Sequence, residues 1–261
     1  MTSGQQAAPG GERDAAYFDQ WYADMAASPA RDAIVTRNLG LPPELQSTSL
    51  LPWPGIAELT GQLRLPPGGL LADIACGRGG YGIEIARRAG ARLLGVDFSE
   101  VALDQARQSA DRQLPAGQAE FRAGTLTATG LPDAIAAGLM CVDAIQFADP
   151  QIAALREFRR VLRSGARLVV TSWEAADPRD ERVPPRVRAV QLLPDLHEAG
   201  FGEVQVRQKP DWRELELAMW REALAADAGD DPALRSLQAE ARRVLSSPGA
   251  LRRVLATATA P

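Results

Sequence analysis

The chain has 261 residues but only one histidine, His197, one lysine, Lys209, and two cysteines, Cys76 and Cys141. A single histidine excludes a histidine-ligated zinc site and any relay that passes protons between histidines. The cysteines stand far apart without paired spacing, so they read as reduced packing residues, not as a disulfide or a metal site. No apolar run approaches the roughly 18 residues of a spanning helix, which argues against a helical membrane protein. Basic charge is short as well: 29 Lys and Arg face 33 Asp and Glu, a net charge of −4 that disfavours a nucleic-acid backbone as partner. Residues 1–13 lack an apolar core and a basic leader, so they are expected to be a flexible tail and not a signal peptide. The expectation is a cytoplasmic protein that acts on a small molecule, with a second copy of itself, as a homodimer, the only protein partner allowed for.

What is present is a regular switch of hydrophobic period from Leu70 onward. Leu70–Ala75 reads as a strand after the turn Pro66-Pro67-Gly68-Gly69, and Tyr81–Ala89 as a helix ended by Gly90. Arg92–Val96 is a second strand, followed by a helix that Ser99 can cap, and Ala119–Ala123 a weaker third. Leu139–Phe147 predicts the fourth strand, Pro150 opens an amphipathic helix that Ser164-Gly165 stops, and Arg167–Trp173 predicts the fifth. Ala189–Ala199 and Glu203–Val206 repeat the pattern, Asp211–Asp227 and Ala233–Leu245 read as helices, and Leu251–Thr259 as a final edge strand. Strands alternating with helices predict an α/β, doubly wound fold, because parallel neighbours need crossover connections. Two segments fall outside this alternation: helical residues 14–65, interrupted by the Pro-rich stretch Leu41–Pro54, and the charged, Pro-rich insertion at 175–188. Both are expected to act as lids, leaving residues 66–261 as the cofactor-binding domain.

The chemistry is concentrated in Leu70-Leu-Ala-Asp-Ile-Ala-Cys-Gly-Arg-Gly-Gly-Tyr-Gly82, a strand that enters a glycine-rich turn and then a helix. Glycines let the backbone approach a ligand closely, and a helix N-terminus offers free N–H groups to an anionic end. The next strand ends in Gly95-Val-Asp97-Phe98-Ser99, where an acidic side chain can accept hydrogen bonds from ribose hydroxyls. A nucleotide-like cofactor is implied. The dinucleotide fingerprint G-x-G-x-x-G is broken, because Ala75 stands where its first glycine belongs.

With Asp73, Ala75, Gly77, Gly79 and Asp97 in this order, the stretch resembles the first motif and its sequel in class I S-adenosylmethionine-dependent methyltransferases of the small-molecule, natural-product tailoring type. The resemblance runs over roughly residues 65 to 210, through Leu131-Pro-Asp133, Val142-Asp-Ala-Ile145, Glu157 with Arg160-Val-Leu-Arg-Ser-Gly165, and Ala199-Gly-Phe201. It implies a Rossmann-like sheet of about seven strands, mostly parallel with an antiparallel C-terminal edge element, and S-adenosylmethionine as cofactor. It further implies that Asp73, Ala75, Cys76, Gly77 and Gly79 surround the methionine end, that Asp97 holds the ribose, and that Phe98 lines the adenine. Thr125 and Leu126 fall where the family has an acidic residue and a hydrophobic one near the adenine, so the acidic partner is missing. Gln146 matches a position that touches both cofactor and acceptor, and Tyr17 or Tyr22, on an aromatic N-terminal helix with Phe18 and Trp21, is expected to close over the cofactor.

Methyl transfer from a sulfonium is an in-line displacement, so alignment in a dry site can supply most of the catalysis. Should an acceptor hydroxyl need a base, Asp149 and Glu174 are the candidates beside Gln146, and Thr171-Ser-Trp-Glu174 gives no reason to expect a metal. Two other readings stand beside this one. A nicotinamide-dependent oxidoreductase would use the same loop but lacks a Tyr-x-x-x-Lys pair, and a methyltransferase-like protein could bind ligand or catalyse a non-methylating step with an identical cofactor loop.

Overall fold

The computed structural model describes residues 15–45 and 48–261; the expected tail at 1–13 lies outside them. The order of elements is α1 (Ala15–Ala26), α2 (Pro29–Leu39), α3 (Trp53–Leu63), β1 (Leu70–Ile74), α4 (Gly80–Ala89), β2 (Arg92–Asp97), α5 (Glu100–Gln113), β3 (Ala119–Ala123) and β4 (Ala136–Val142). It continues with α6 (Gln151–Val161), β5 (Leu162–Ala175), α7 (Pro185–Arg188), α8 (Leu192–Glu198), β6 (Gly202–Gln208), α9 (Pro210–Ala225), α10 (Pro232–Ser246) and β7 (Leu251–Thr259).

The seven strands form one sheet in the order β3-β2-β1-β4-β5-β7-β6. Pairs from β3 through β5 are parallel, and β7 is antiparallel to both β5 and β6. The α/β, doubly wound, mostly parallel sheet expected from the sequence is therefore present, with an antiparallel C-terminal strand. That strand does not lie at the rim: β7 inserts between β5 and β6, leaving β6 as the edge.

Every residue of β1 is buried, because a central parallel strand has helices on both faces. Alternation sorts its side chains. Leu71 joins the core formed with α3, α4, α5, α9 and α10, while Leu70, Ala72 and Ile74 join the opposite core with α6 and α8. The helix α3 belongs to the first of these cores, with Ile56, Leu59 and Leu63 fully buried. The strand β4 ends five residues before the expected Phe147, because Asp143 has φ of +58° and a residue in that region cannot continue a ladder. Ile145–Phe147 instead forms a 3-10 turn. In the other direction β5 exceeds its expected span at both ends, since Leu162 pairs with Ala136 and Ala175 with Leu251. The helix expected from Ala189 begins only at Leu192.

Candidate functional site

The carboxyl ends of β1, β2 and β4 meet at the glycine-rich turn, where open α/β sheets place their ligands. The turn is fixed to β2 by two contacts: Cys76 N donates to Val96 O at 3.0 Å and Gly77 N to Asp97 Oδ2 at 2.8 Å. Gly77 has φ of +53°, and a Cβ placed there would lie 2.9 Å from both Thr48 Oγ1 and the Tyr22 hydroxyl. One turn into α4, a Cβ on Gly82 would stand 2.4 Å from Asp73 Oδ2. Glycine at these two places lets the neighbouring polar groups close directly onto backbone.

Beside the turn is a small, partly open cavity. Asp73, Ala75 and Cys76 form one wall, Arg78 and Tyr81 a second, and Thr48 and Ser49 from the loop before α3 a third. Its electrostatics are those of charges short of partners. Burial, and then the neighbouring Asp97, push the Asp73 carboxyl up to about 8. Burial also raises Asp97, opposed by the N–H groups of Ser99, Gly77 and Phe98. The Cys76 thiol is raised mainly by burial, as is the Tyr22 hydroxyl, which hydrogen-bonds with Thr48. Arg78 is 3% exposed and holds Asp32 Oδ2 at 3.2 Å through Nη1, while its buried Nε has no hydrogen-bond partner among the described residues. Arg31 binds the other oxygen of Asp32 at 2.8 Å, so two buried guanidinium groups share one carboxylate.

Helix α1 lies over the Asp97 end of the site. Ser99, which caps α5, donates to Asp19 Oδ1 at 2.5 Å, and Gln105 Nε2 reaches Tyr22 O at 3.5 Å. The Phe18 ring meets Phe98 at 5.1 Å and Phe147 at 5.7 Å, both edge to face. Tyr17 packs on Phe18 but is 38% exposed, whereas Tyr22 is buried against the glycine turn.

Of the residues singled out in the sequence, Asp73, Ala75, Cys76, Gly77, Gly79, Tyr22, Asp97 and Phe98 come together around the turn. The others are placed differently. Thr125 is exposed and closes its own turn, accepting from Ala128 N at 3.0 Å, with Leu126 packed against the core beneath the sheet. Gln146 is buried and held at both ends, its amide donating to Asp143 O at 2.7 Å and accepting from Ser172 Oγ at 3.3 Å. Asp149 is exposed and Glu174 is engaged, accepting from Leu192 N at 2.9 Å and facing Arg252 at 3.6 Å. Neither carboxylate lines the cavity. Among the described residues no cluster of His, Cys, Asp and Glu forms a metal site.

Sequence reasoning passed over Arg78, Tyr81, Thr48 and Ser49. A cation set between glycines at a strand-to-helix turn was a readable sign for Arg78. Thr48 and Ser49 sit in a Pro-rich loop and carried no such sign. Tyr81 looked like an ordinary helix residue, yet its hydroxyl holds that loop, accepting from Leu51 N at 3.1 Å and sharing its one proton between Ser49 O and Leu51 O, each at 3.0 Å.

Residues 71–165 match the family model of the methyltransferase domain. Among curated proteins, the O-methyltransferase resE of Aspergillus sclerotiorum is 26% identical over 155 residues, 55% of this chain and 59% of the relative. The chain thus covers under two thirds of that relative's length. Among solved structures, phosphoethanolamine N-methyltransferase 2 of Haemonchus contortus, in complex with S-adenosyl-L-methionine, superposes with a TM-score of 0.74 at 18% identity, over 95% of this chain and 59% of that one. The [4+2]-cyclase SpnF superposes with a TM-score of 0.76 at 19% identity, over 95% of this chain and 97% of that one.

Proposed function

We propose that this chain, which belongs to the class I S-adenosylmethionine-dependent methyltransferase family, binds S-adenosylmethionine at the glycine turn and methylates a small-molecule hydroxyl in secondary metabolism. The observation that carries the reading is the turn itself, pinned to Asp97 at 2.8 Å beside a cavity lined by Asp73, Arg78 and Tyr81. The donor set fits such a cofactor. The unpaired buried Nε of Arg78 suits a carboxylate, and the buried Asp73 suits a positive charge.

Bound there, the cofactor supplies an electrophilic methyl group on a sulfonium. The residues of the chain do the rest. Asp97 would accept the ribose hydroxyls, Phe98 and Phe18 would cover the base, and Ala75, Cys76 and Gly79 would shape the methionine end, with Thr125 and Leu126 standing apart from the turn. Tyr22 closes over the turn, Tyr17 shields the mouth, and Gln146, held by Asp143 and Ser172, gives the reacting centre a fixed polar wall. Phe147, which packs edge to face on Phe18 and is exposed on its other side, offers an apolar surface for a ring-bearing acceptor. Because Asp149 is exposed and Glu174 is bound to Leu192 N, no candidate carboxylate faces the cavity. The acceptor that suits such a site is an acidic hydroxyl of phenol or enol type, which ionises without a strong base and reacts by alignment. Its hydroxyl acceptor is the class named for the curated O-methyltransferase relative. Cytoplasmic action is supported by the free thiols Cys76 and Cys141, and no described helix is long and apolar enough to cross a membrane.

The test is transfer of label from methyl-labelled S-adenosylmethionine to a panel of phenols and enols. Labelled ether supports the reading. Cofactor binding without transfer to any acceptor points to a non-methylating or binding-only use of the cavity, and NAD binding in place of S-adenosylmethionine overturns it.

A further inference from the structure

Asp143 adopts φ of +58°, a costly conformation for a residue with a side chain, and more contacts converge on it than on any strand-end residue described above. Its backbone N donates to Thr171 O at 3.0 Å. Its carboxylate accepts from Thr171 Oγ1 at 2.6 Å, from Leu50 N at 2.9 Å and from Arg253 Nη2 at 2.8 Å, with Arg253 Nη1 lying 2.6 Å from Oδ1. Arg253 is 1% exposed. Its guanidinium also stacks 4.2 Å over the Trp173 ring, and Trp173 Nε1 donates to the buried Glu216 at 2.9 Å. A buried ion pair of this kind is costly to desolvate and is weak evidence of stabilisation, so its contacts are the better guide to its use.

Those contacts lead to the cofactor cavity. Leu50 belongs to the same short segment as Thr48 and Ser49, which form one wall of that cavity. Asp143 holds this wall at Leu50 N, Ser49 Oγ reaches Val142 O at 3.3 Å, and Tyr81 fastens the segment from the other side. The carbonyl of Asp143 meanwhile orients Gln146. We infer that Arg253 and Asp143 are positioning residues: a buried ion pair that reaches across β5, from β7 to the end of β4, and sets the Thr48–Ser49 wall of the cofactor site. Neither residue needs to touch the reacting atoms. The inference rests on the reading of this cavity as the S-adenosylmethionine site.

The test is calorimetric titration of the full chain with S-adenosylhomocysteine at a temperature where all variants are folded, alongside thermal melts. Arg253→Met is expected to weaken binding about tenfold, and Arg253→Lys to recover part of it by restoring the charge. Thr171→Val, which removes one donor to Asp143 without approaching the cavity, is expected to weaken binding a few-fold and keeps the test open if Arg253→Met does not fold. Tyr81→Phe loosens the same wall, so its effect should shrink in the Arg253→Lys background instead of adding to it. Wild-type affinity in folded Arg253→Lys and Thr171→Val, with only the melting temperature lowered, overturns the positioning role while leaving the cofactor reading intact. Failure of the wild-type chain to bind S-adenosylhomocysteine overturns the cofactor reading itself.

Discussion

Replacing Asp73 by asparagine is expected to stabilise the fold at alkaline pH while weakening the cofactor site. Burial, with Asp97 beside it, raises the folded-state carboxyl from 3.8 to about 8. Between those two values the folded chain holds a proton that the unfolded chain has released. The folded state therefore binds more protons, and stability falls as pH rises through the window, with the full contribution present only below about pH 4. At 1.36 kcal/mol per factor of ten, the upper bound on the loss by pH 8 is about 6 kcal/mol. Water penetration and local relaxation reduce such penalties, so about 2–3 kcal/mol is the expected loss between pH 5 and pH 8. Asp97 and Glu216 are raised by burial in the same direction, so the wild-type slope contains their share. Asp73→Asn isolates its own share. Urea unfolding of wild type and Asp73→Asn at pH 5, 6.5 and 8 measures the difference: the variant should be more stable at pH 8 by about 2 kcal/mol and lose that advantage by pH 5. Equal pH slopes in the two proteins would refute the argument. Binding should move the other way, because a positively charged ligand loses its buried partner.

Three further expectations follow from the same contacts. Arg78→Gln should weaken S-adenosylhomocysteine binding by about 2 kcal/mol, the scale of a hydrogen bond to a charged group, with calorimetry as the readout and unchanged affinity as the contrary result. Gly77→Ala should reduce cofactor affinity by tenfold or more and cost about 1–2 kcal/mol of stability, since its Cβ would lie 2.9 Å from Thr48 and Tyr22 at φ of +53°. Glu174→Gln keeps an acceptor for Leu192 N, so kcat should stay within about twofold of wild type; a loss of about a hundredfold or more in the folded variant would make Glu174 the base.

The central sheet was legible because buried parallel strands are short apolar runs closed by glycine and proline, as at Leu70–Ile74 and Gly90. Where the reading missed, a tertiary contact had overridden the local pattern. The apolar sequence through Ala144 and Ile145 looks like continuing strand, yet Asp143 is turned into the left-handed region by Thr171 and Arg253, both far away in sequence. The C-terminal strand was recognised, but its place inside β6 depends on pairing with β5 that periodicity does not encode. In the site, the glycine turn and the strand-end Asp97 were legible in the strand-turn-helix pattern, while the roles expected of the neighbouring residues came from the family resemblance. The wall made by Thr48 and Ser49 was not, because it exists only through Asp143 and Tyr81 holding a Pro-rich loop in place. Glu174 lies at the right end of β5, but the N–H of Leu192 at the start of α8 takes its carboxylate.

Asp97 joins the glycine turn to the second strand and is the residue proposed to take a ribose, so replacing it tests the whole reading. Calorimetry of the wild-type chain with S-adenosylmethionine and with NAD, repeated on Asp97→Ala, should show binding of S-adenosylmethionine by the wild type alone and no response to NAD. Micromolar NAD binding with no response to S-adenosylmethionine, or an Asp97→Ala variant that binds S-adenosylmethionine as tightly as the wild type, would contradict it.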